Sequence, residues 1–241
     1  SIVSESMEQP EKYYRDILLT ETLLDVMHQY DVRKLVFSSS AAVYGIPDVI
    51  PVMESAPLRP INPYGETKAA IEKMLYQQNW FQFVALRYFN ACGAAADASL
   101  TENHDPETHL IPRLLQEPVW ELYGTDYPTP DGTCIRDYVH VEDLAQAHLL
   151  ALEHLLSQAD DEPYGVSLNL GLGKGFSVRE IMESVKRATG RTPVIKELPR
   201  RQGDPAILVA DCRLAKDVLG WTPRYTDIDA ILQTAIAARS F

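Results

Sequence analysis

Three things are scarce in this 241-residue sequence: cysteine, basic charge and early glycine. The three cysteines, Cys92, Cys134 and Cys212, are far apart and odd in number. That excludes a disulfide framework and a paired-cysteine metal motif, and it fits a reducing compartment. They read as small buried hydrophobes. Lysine and arginine number 22 against 34 acidic residues, a formal net charge of −12. Such a chain has no broad basic footprint for nucleic acid or an anionic membrane. No apolar run is long enough to cross a bilayer. Residues Ser1 to Ser6 carry no basic segment followed by an apolar one, so no signal peptide is expected and the location expected is cytoplasmic. An anionic ligand would have to be met by local arginines.

Against those absences stands an ordinary globular composition, 46% hydrophobic and 23% charged, enough for one large domain or a domain with a smaller lobe. Apolar residues recur at helical spacing over 11–30 (Ile17, Leu18, Leu24, Met27), and Lys34 to Phe37 reads as a short buried strand. A proline-rich loop spans Pro47 to Pro63. It leads into a helix with Asn62 as N-cap, Pro63 at the first position and Ile71, Met74 and Leu75 on its apolar side. Strands are expected at 81–88, 166–170 and 194–197. Helices are expected at 141–156, 177–189, 213–219 and 228–239. Residues 91–133 are rich in proline, glycine, aspartate and histidine and read as an irregular insertion, except at 109–116. Strands separated by helices imply an α/β fold with a parallel sheet covered on both faces. Ligands in such folds sit beyond the carboxyl ends of the strands, here the turns after Phe37, Tyr88 and Leu170.

Chemistry concentrates at those turns. In Tyr64-Gly65-Glu66-Thr67-Lys68 the first and last residues lie one helical turn apart on one face. A cation beside a phenol favours the phenolate, which can then act as a base on a hydroxyl. The spacing alone is weak, because Tyr30 and Lys34 match it too. That second pair, however, straddles a helix end and a strand start. Ser38, Ser39 and Ser40 supply hydroxyls directly at a strand end.

A strand-end serine, a Tyr-x-x-x-Lys helix and a strand ending Arg87-Tyr88-Phe89-Asn90 together resemble the extended short-chain dehydrogenases/reductases. Within them the stretches 37–45, 63–68, 86–90, 104–112, 123–141 and 199–204 resemble the UDP-glucose 4-epimerase family, in the family's order. The resemblance implies an NAD-dependent 4-epimerisation that interconverts UDP-galactose and UDP-glucose through a 4-keto intermediate. It implies a parallel Rossmann-like sheet lacking its N-terminal strands, with a smaller irregular C-terminal substrate lobe. Residues 1–90 plus 134–170 would form a partial dinucleotide-binding domain, and 91–133 plus 171–241 the UDP-sugar lobe. Tyr64 would be the base. Lys68 would favour its ionised form and hold the nicotinamide ribose, and Ser40 would bond the sugar 4-hydroxyl. Tyr88 and Phe89 would lie by the nicotinamide, and Asn90 would contact the UDP-sugar. His109 and Leu110 would touch the nucleotide, Tyr123 would pack on uracil, and Arg136, Arg201 and Asp204 would grip diphosphate and ribose. A homodimer is implied as well.

The sequence departs from the family in one respect above all. The Gly-x-x-Gly-x-x-Gly turn that receives the pyrophosphate has no match, the first glycine being Gly45. Gly171-Leu172-Gly173-Lys174-Gly175 is no substitute, since Gly-x-Gly-x-x-Gly would need a glycine where Phe176 stands. This leaves two further expectations open: a truncated, non-catalytic UDP-sugar-binding fragment, or an epimerase for an N-acetylhexosamine or uronic acid, which Leu208 does not settle. A 4,6-dehydratase is disfavoured by Ala41 and Ala42 where an acidic residue is needed.

Overall fold

The computed structural model describes residues 3–159, 162–201 and 203–239; Gln202, within one of the family-like stretches, lies outside them. The chain runs through α1 (Val3–Glu8), α2 (Pro10–Gln29), β1 (Lys34–Ser40), a 3-10 turn (Ala41–Tyr44), α3 (Pro63–Tyr76) and β2 (Gln82–Tyr88). Next come β3 (Asn90–Cys92), α4 (Leu110–Gln116), β4 (Val119–Tyr123), β5 (Ile135–His140), α5 (Val141–Ser157) and β6 (Tyr164–Leu170). The last elements are β7 (Gly175–Ser177), α6 (Val178–Thr189), β8 (Val194–Leu198), β9 (Ile207–Leu208), α7 (Arg213–Leu219) and α8 (Ile228–Ala237).

They form two compact units. The first comprises Ser1–Tyr88, Gln146–Leu170 and Asp211–Trp221; the second comprises Phe89–Ala145, Gly171–Ala210 and Thr222–Phe241. The first unit is α/β, with a three-stranded parallel sheet in the order β1-β2-β6. Its central strand, β2, is buried from Gln82 to Arg87, as expected of a parallel strand covered on both faces. Leu24 and Met27 of α2, and Ile71 and Leu75 of α3, pack with Phe81, Phe83 and Ala85. Each fully buried side chain of this kind contributes roughly 1.5–3 kcal/mol. The register aligns Ser40 with Tyr88 and Tyr88 with Leu170, so the three strands end level.

In the second unit β3 and β9 pair with β5 in parallel, β7 pairs with β5 antiparallel, and β4 pairs with β8 in parallel. Its core gathers Leu114, Trp120, Leu122, Tyr138, Ile181, Val185, Ile231 and Leu232 among others. Helix α6 starts in a capping box, Ser177 with Glu180, and stops at left-handed Gly190.

The expected helices and the strands of the first sheet are present, with ends shifted by a few residues. The stretch 91–133 differs from expectation. It holds α4, as its periodicity suggests, but also Ala91 and Cys92 of β3 and all of β4. These strands run three and five residues, too short for periodicity to register, and the partner of β4 lies some 75 residues further on. Strand β5 was hidden by its polar sequence: Asp137 and His140 are fully buried in it.

Candidate active site

Helix α3 begins as the capping signals dictate. The Asn62 side chain accepts a hydrogen bond from the Gly65 N–H at 2.8 Å, and Pro63 occupies the first turn. Gly65 is needed for close approach: a Cβ there would lie 2.5 Å from the Ala42 carbonyl oxygen and 3.0 Å from the Pro60 Cβ. The helix start therefore rests against the turn that follows Ser40, which brings the residues on both sides of Gly65 near the strand ends.

One turn along, the Lys68 ammonium donates to the Ser38 carbonyl at 3.0 Å and sits 5.0 Å from the Phe37 ring centroid and 5.8 Å from that of Tyr64. The Tyr13 ring packs edge-on against Tyr64, with centroids 6.1 Å apart. Among the described residues the Tyr64 hydroxyl has no hydrogen-bond partner, and the side chain is half-buried. The Ser40 hydroxyl oxygen accepts from the Ala42 N–H at 3.2 Å, and among the described residues its own O–H has no acceptor. Tyr88 is engaged differently: it donates to the Ser38 hydroxyl at 2.6 Å and lies 2.7 Å from His148 Nε2. Burial pushes the Tyr88 hydroxyl above its usual pKa, so it stays protonated and acts as a donor. The two members of the competing pair are engaged elsewhere. Tyr30 caps α2 and is largely exposed, whereas the Lys34 ammonium is held by Gln82 and the Leu155 carbonyl.

Beneath these residues lies a polar network with no local signal in the sequence. Glu72 and Arg87 form an ion pair with side chains only 1% and 4% exposed. Glu72 also accepts from Ser39, and from Ser167 at 3.1 Å. Arg87 donates in addition to the Tyr44 hydroxyl at 2.8 Å and the Glu54 carbonyl at 3.0 Å. Burial pushes Tyr44 up to about 12, so its O–H remains to donate to Asn169 Oδ1 at 2.7 Å.

The other expected residues belong to the second unit. Arg136 pairs with Asp204 at 3.3 Å. The Arg201 guanidinium lies 3.9 Å from the Tyr123 ring centroid, and the Tyr123 hydroxyl donates to Glu121 at 2.7 Å. Arg201 thus covers a face of the ring expected to receive a pyrimidine. Phe89 is buried, while Asn90 is exposed at the start of β3, opposite Tyr138. His109 precedes α4 without capping it and bonds Glu102, which raises its pKa; Leu110 packs on the core. Asp137, unpredicted, is fully buried and accepts from the N–H groups of Leu172 at 2.6 Å, Gly173 at 3.0 Å and Ala210 at 3.0 Å. Gly171 makes room for it: a Cβ there would lie 2.6 Å from Asp137 Oδ2.

The family described as "NAD dependent epimerase/dehydratase family" matches residues 1–169. The chain belongs to that family. It is 48% identical to the UDP-glucose 4-epimerase of Halalkalibacterium halodurans, over 98% of this chain and 72% of that protein. A crystal structure of UDP-glucose 4-epimerase from Brucella ovis in complex with NAD superimposes with a TM-score of 0.91 at 47% identity, covering 98% of this chain and 74% of that one. The corresponding structure from Bifidobacterium longum, in complex with NAD+ and UDP, gives a TM-score of 0.89 at 37% identity, over 97% and 72%. The fold is accordingly the Rossmann-like α/β fold of this epimerase family.

NAD is the family's cofactor, and the residues present suit its nicotinamide end. Of the three donors on the Lys68 ammonium, the Ser38 carbonyl takes one, leaving two for ribose hydroxyls. A glycine-rich turn for the pyrophosphate is not among the 241 residues.

Proposed function

We propose that the chain carries out NAD-dependent 4-epimerisation, interconverting UDP-galactose and UDP-glucose through a 4-keto sugar. The observation that carries this reading is the placement of Tyr64 and Lys68 on one face of α3, with Lys68 fixed by the Ser38 carbonyl at the strand end that also bears Ser40. Tyr64 removes the proton of the sugar 4-hydroxyl and returns it. The Lys68 ammonium lies beside the Tyr64 ring, a charge of the sign that suits this proton transfer. Ser40, with its O–H uncommitted, bonds the same sugar oxygen. When bound, NAD supplies a reversible acceptor for the hydrogen and electron pair of sugar C4. Tyr88 and Phe89 are assigned to the nicotinamide surroundings and Asn90 to the UDP-sugar.

In the second unit, Arg136 and Arg201 offer the planar donor forks that suit a diphosphate, with Asp204 for a ribose hydroxyl. Tyr123 offers an aromatic face for uracil once Arg201 swings off it, and His109 and Leu110 add nucleotide contacts. The dinucleotide-binding role is assigned to residues 1–90 plus 134–170, and the UDP-sugar role to 91–133 plus 171–241. A homodimer is part of the proposal; the exposed Leu18, Leu19, Leu23 and Val26 on α2 offer it an apolar surface. So is a cytosolic location, which the free thiols of Cys92, Cys134 and Cys212 suit.

The test is direct. The protein is incubated with NAD and either UDP-galactose or UDP-N-acetylgalactosamine, and the anomeric proton signals are followed by NMR. Conversion of UDP-galactose to UDP-glucose is expected. Conversion of the N-acetylated sugar alone would shift the substrate assignment, and a protein that binds UDP-galactose without converting it would leave only a binding role.

A further inference from the structure

A second group of reactive side chains lies in the segment that precedes α4, outside the catalytic chemistry described above. Glu102, His104, Glu107 and His109 each present one donor atom, and these four atoms all lie within 4.8 Å of one another. Glu102 accepts from His109 Nδ1 and lies 3.3 Å from His104 Nδ1. Glu107 lies 3.7 Å from His104 Nδ1 and 3.9 Å from His109 Nδ1. The two imidazoles stand edge to face, with centroids 4.8 Å apart.

The burial of the four residues is uneven. The Glu102 and Glu107 side chains are 18% and 11% exposed, whereas the imidazoles are 36% and 44% exposed. Two carboxylates this far withdrawn from water, facing two imidazoles, gather four donor atoms that can converge on one dication. The imidazole side leaves an open path by which one can enter. Glu107 Oε1 also accepts the N–H groups of Thr108 and His109, both at 2.9 Å, which orients the carboxylate.

We propose that Glu102, His104, Glu107 and His109 form a binding site for a zinc-type dication. Two imidazole nitrogens and two carboxylate oxygens are a nitrogen–oxygen set that suits zinc better than calcium or magnesium. Ligand atoms in a tetrahedral zinc site sit about 3.3 Å apart. The present spread of 4.8 Å or less closes to that value through side-chain rotation within one short loop. The site shares His109 with the nucleotide contact proposed above, but zinc binding is read without UDP-sugar and on Glu102 and His104, so either reading can fail alone.

The experiment is isothermal titration of the chelator-treated protein with zinc chloride, repeated for Glu102→Gln, His104→Ala and a control, His154→Gln, whose imidazole lies by Tyr164. Circular dichroism checks that each variant is folded, and the conservative Glu102→Gln covers the case in which His104→Ala is not. One zinc per chain is expected, weakened at least about tenfold in both site variants and unchanged in the control. Millimolar calcium should not displace it. Absence of saturable zinc binding, equal affinity in parent and site variants, equal loss in the control, or displacement by calcium would each overturn the assignment.

Discussion

Replacing Glu72 by alanine removes the carboxylate that, among the described residues, is hydrogen-bonded to a buried guanidinium. Arg87 would keep its bonds to the Tyr44 hydroxyl and the Glu54 carbonyl, but its charge would be unpaired in a site only 4% exposed. The Ser39 and Ser167 hydroxyls would lose an acceptor as well. Removing one partner of such a pair costs about 3–5 kcal/mol, because the remaining charge stays desolvated. For a chain of this size each kcal/mol corresponds to about 2–4 °C, so the melting temperature should fall by ~6–20 °C. Replacing both residues, Glu72→Leu with Arg87→Met, removes the stranded charge and should recover most of that loss. Urea unfolding and calorimetry on the parent, the single and the double variant supply the comparison. If Glu72→Ala costs less than about 1 kcal/mol, or the double variant is worse than the single, the buried-charge reasoning is wrong.

Three further outcomes follow from named contacts. Gly65→Ala forces a Cβ against the Ala42 carbonyl; it should cost roughly 1–3 kcal/mol and, by displacing Tyr64, lower UDP-galactose turnover by up to ~100-fold. Burial pushes the Asp137 carboxyl up to about 6 despite its three backbone donors. Because its folded value lies above the unfolded value of about 3.9, its contribution is full below pH ~4 and fades as pH rises through about 6, a loss of about 3 kcal/mol. Hydrogen exchange of β5 amides should show that slope in the parent and not in Asp137→Asn; identical slopes would refute it. Arg136→Ala should weaken UDP binding by ~10- to 100-fold, as for a lost charge-assisted bond, while uridine, which has no diphosphate, should bind the two proteins alike.

What could be read from the sequence was what is local. Asn62, Pro63 and the four-residue step to Lys68 specify a capped helix with two groups on one face, and that is how α3 is built. The same step at Tyr30 and Lys34 is broken by a helix end, a difference the neighbouring residues already suggested. Strand ends at Tyr88 and Leu170 were legible because each strand is an apolar run bounded by polar residues; the first strand was expected to stop at Phe37, and it runs on to Ser40 because its three serines pair with β2. The Glu72–Arg87 pair was not, since it depends on burial that only the packing of α3 against the sheet creates. Asp137 escaped for the same reason: its three donors come from residues 35 to 73 positions away. The stacking of Arg201 on Tyr123 is likewise invisible in sequence, because β4 and β8, which bring the two residues near each other, are separated in the chain by β5, α5, β6, β7 and α6.

The central claim is that the Tyr64 phenol is the base. The measurement that tests it is the rate of UDP-galactose conversion, with NAD saturating, for the parent and Tyr64→Phe, alongside the affinity of each for UDP. A general base contributes ~100- to 10,000-fold, so the variant should lose that much rate while binding UDP as the parent does. A Tyr64→Phe protein that converts UDP-galactose within about twofold of the parent rate, well short of that contribution, would contradict the account.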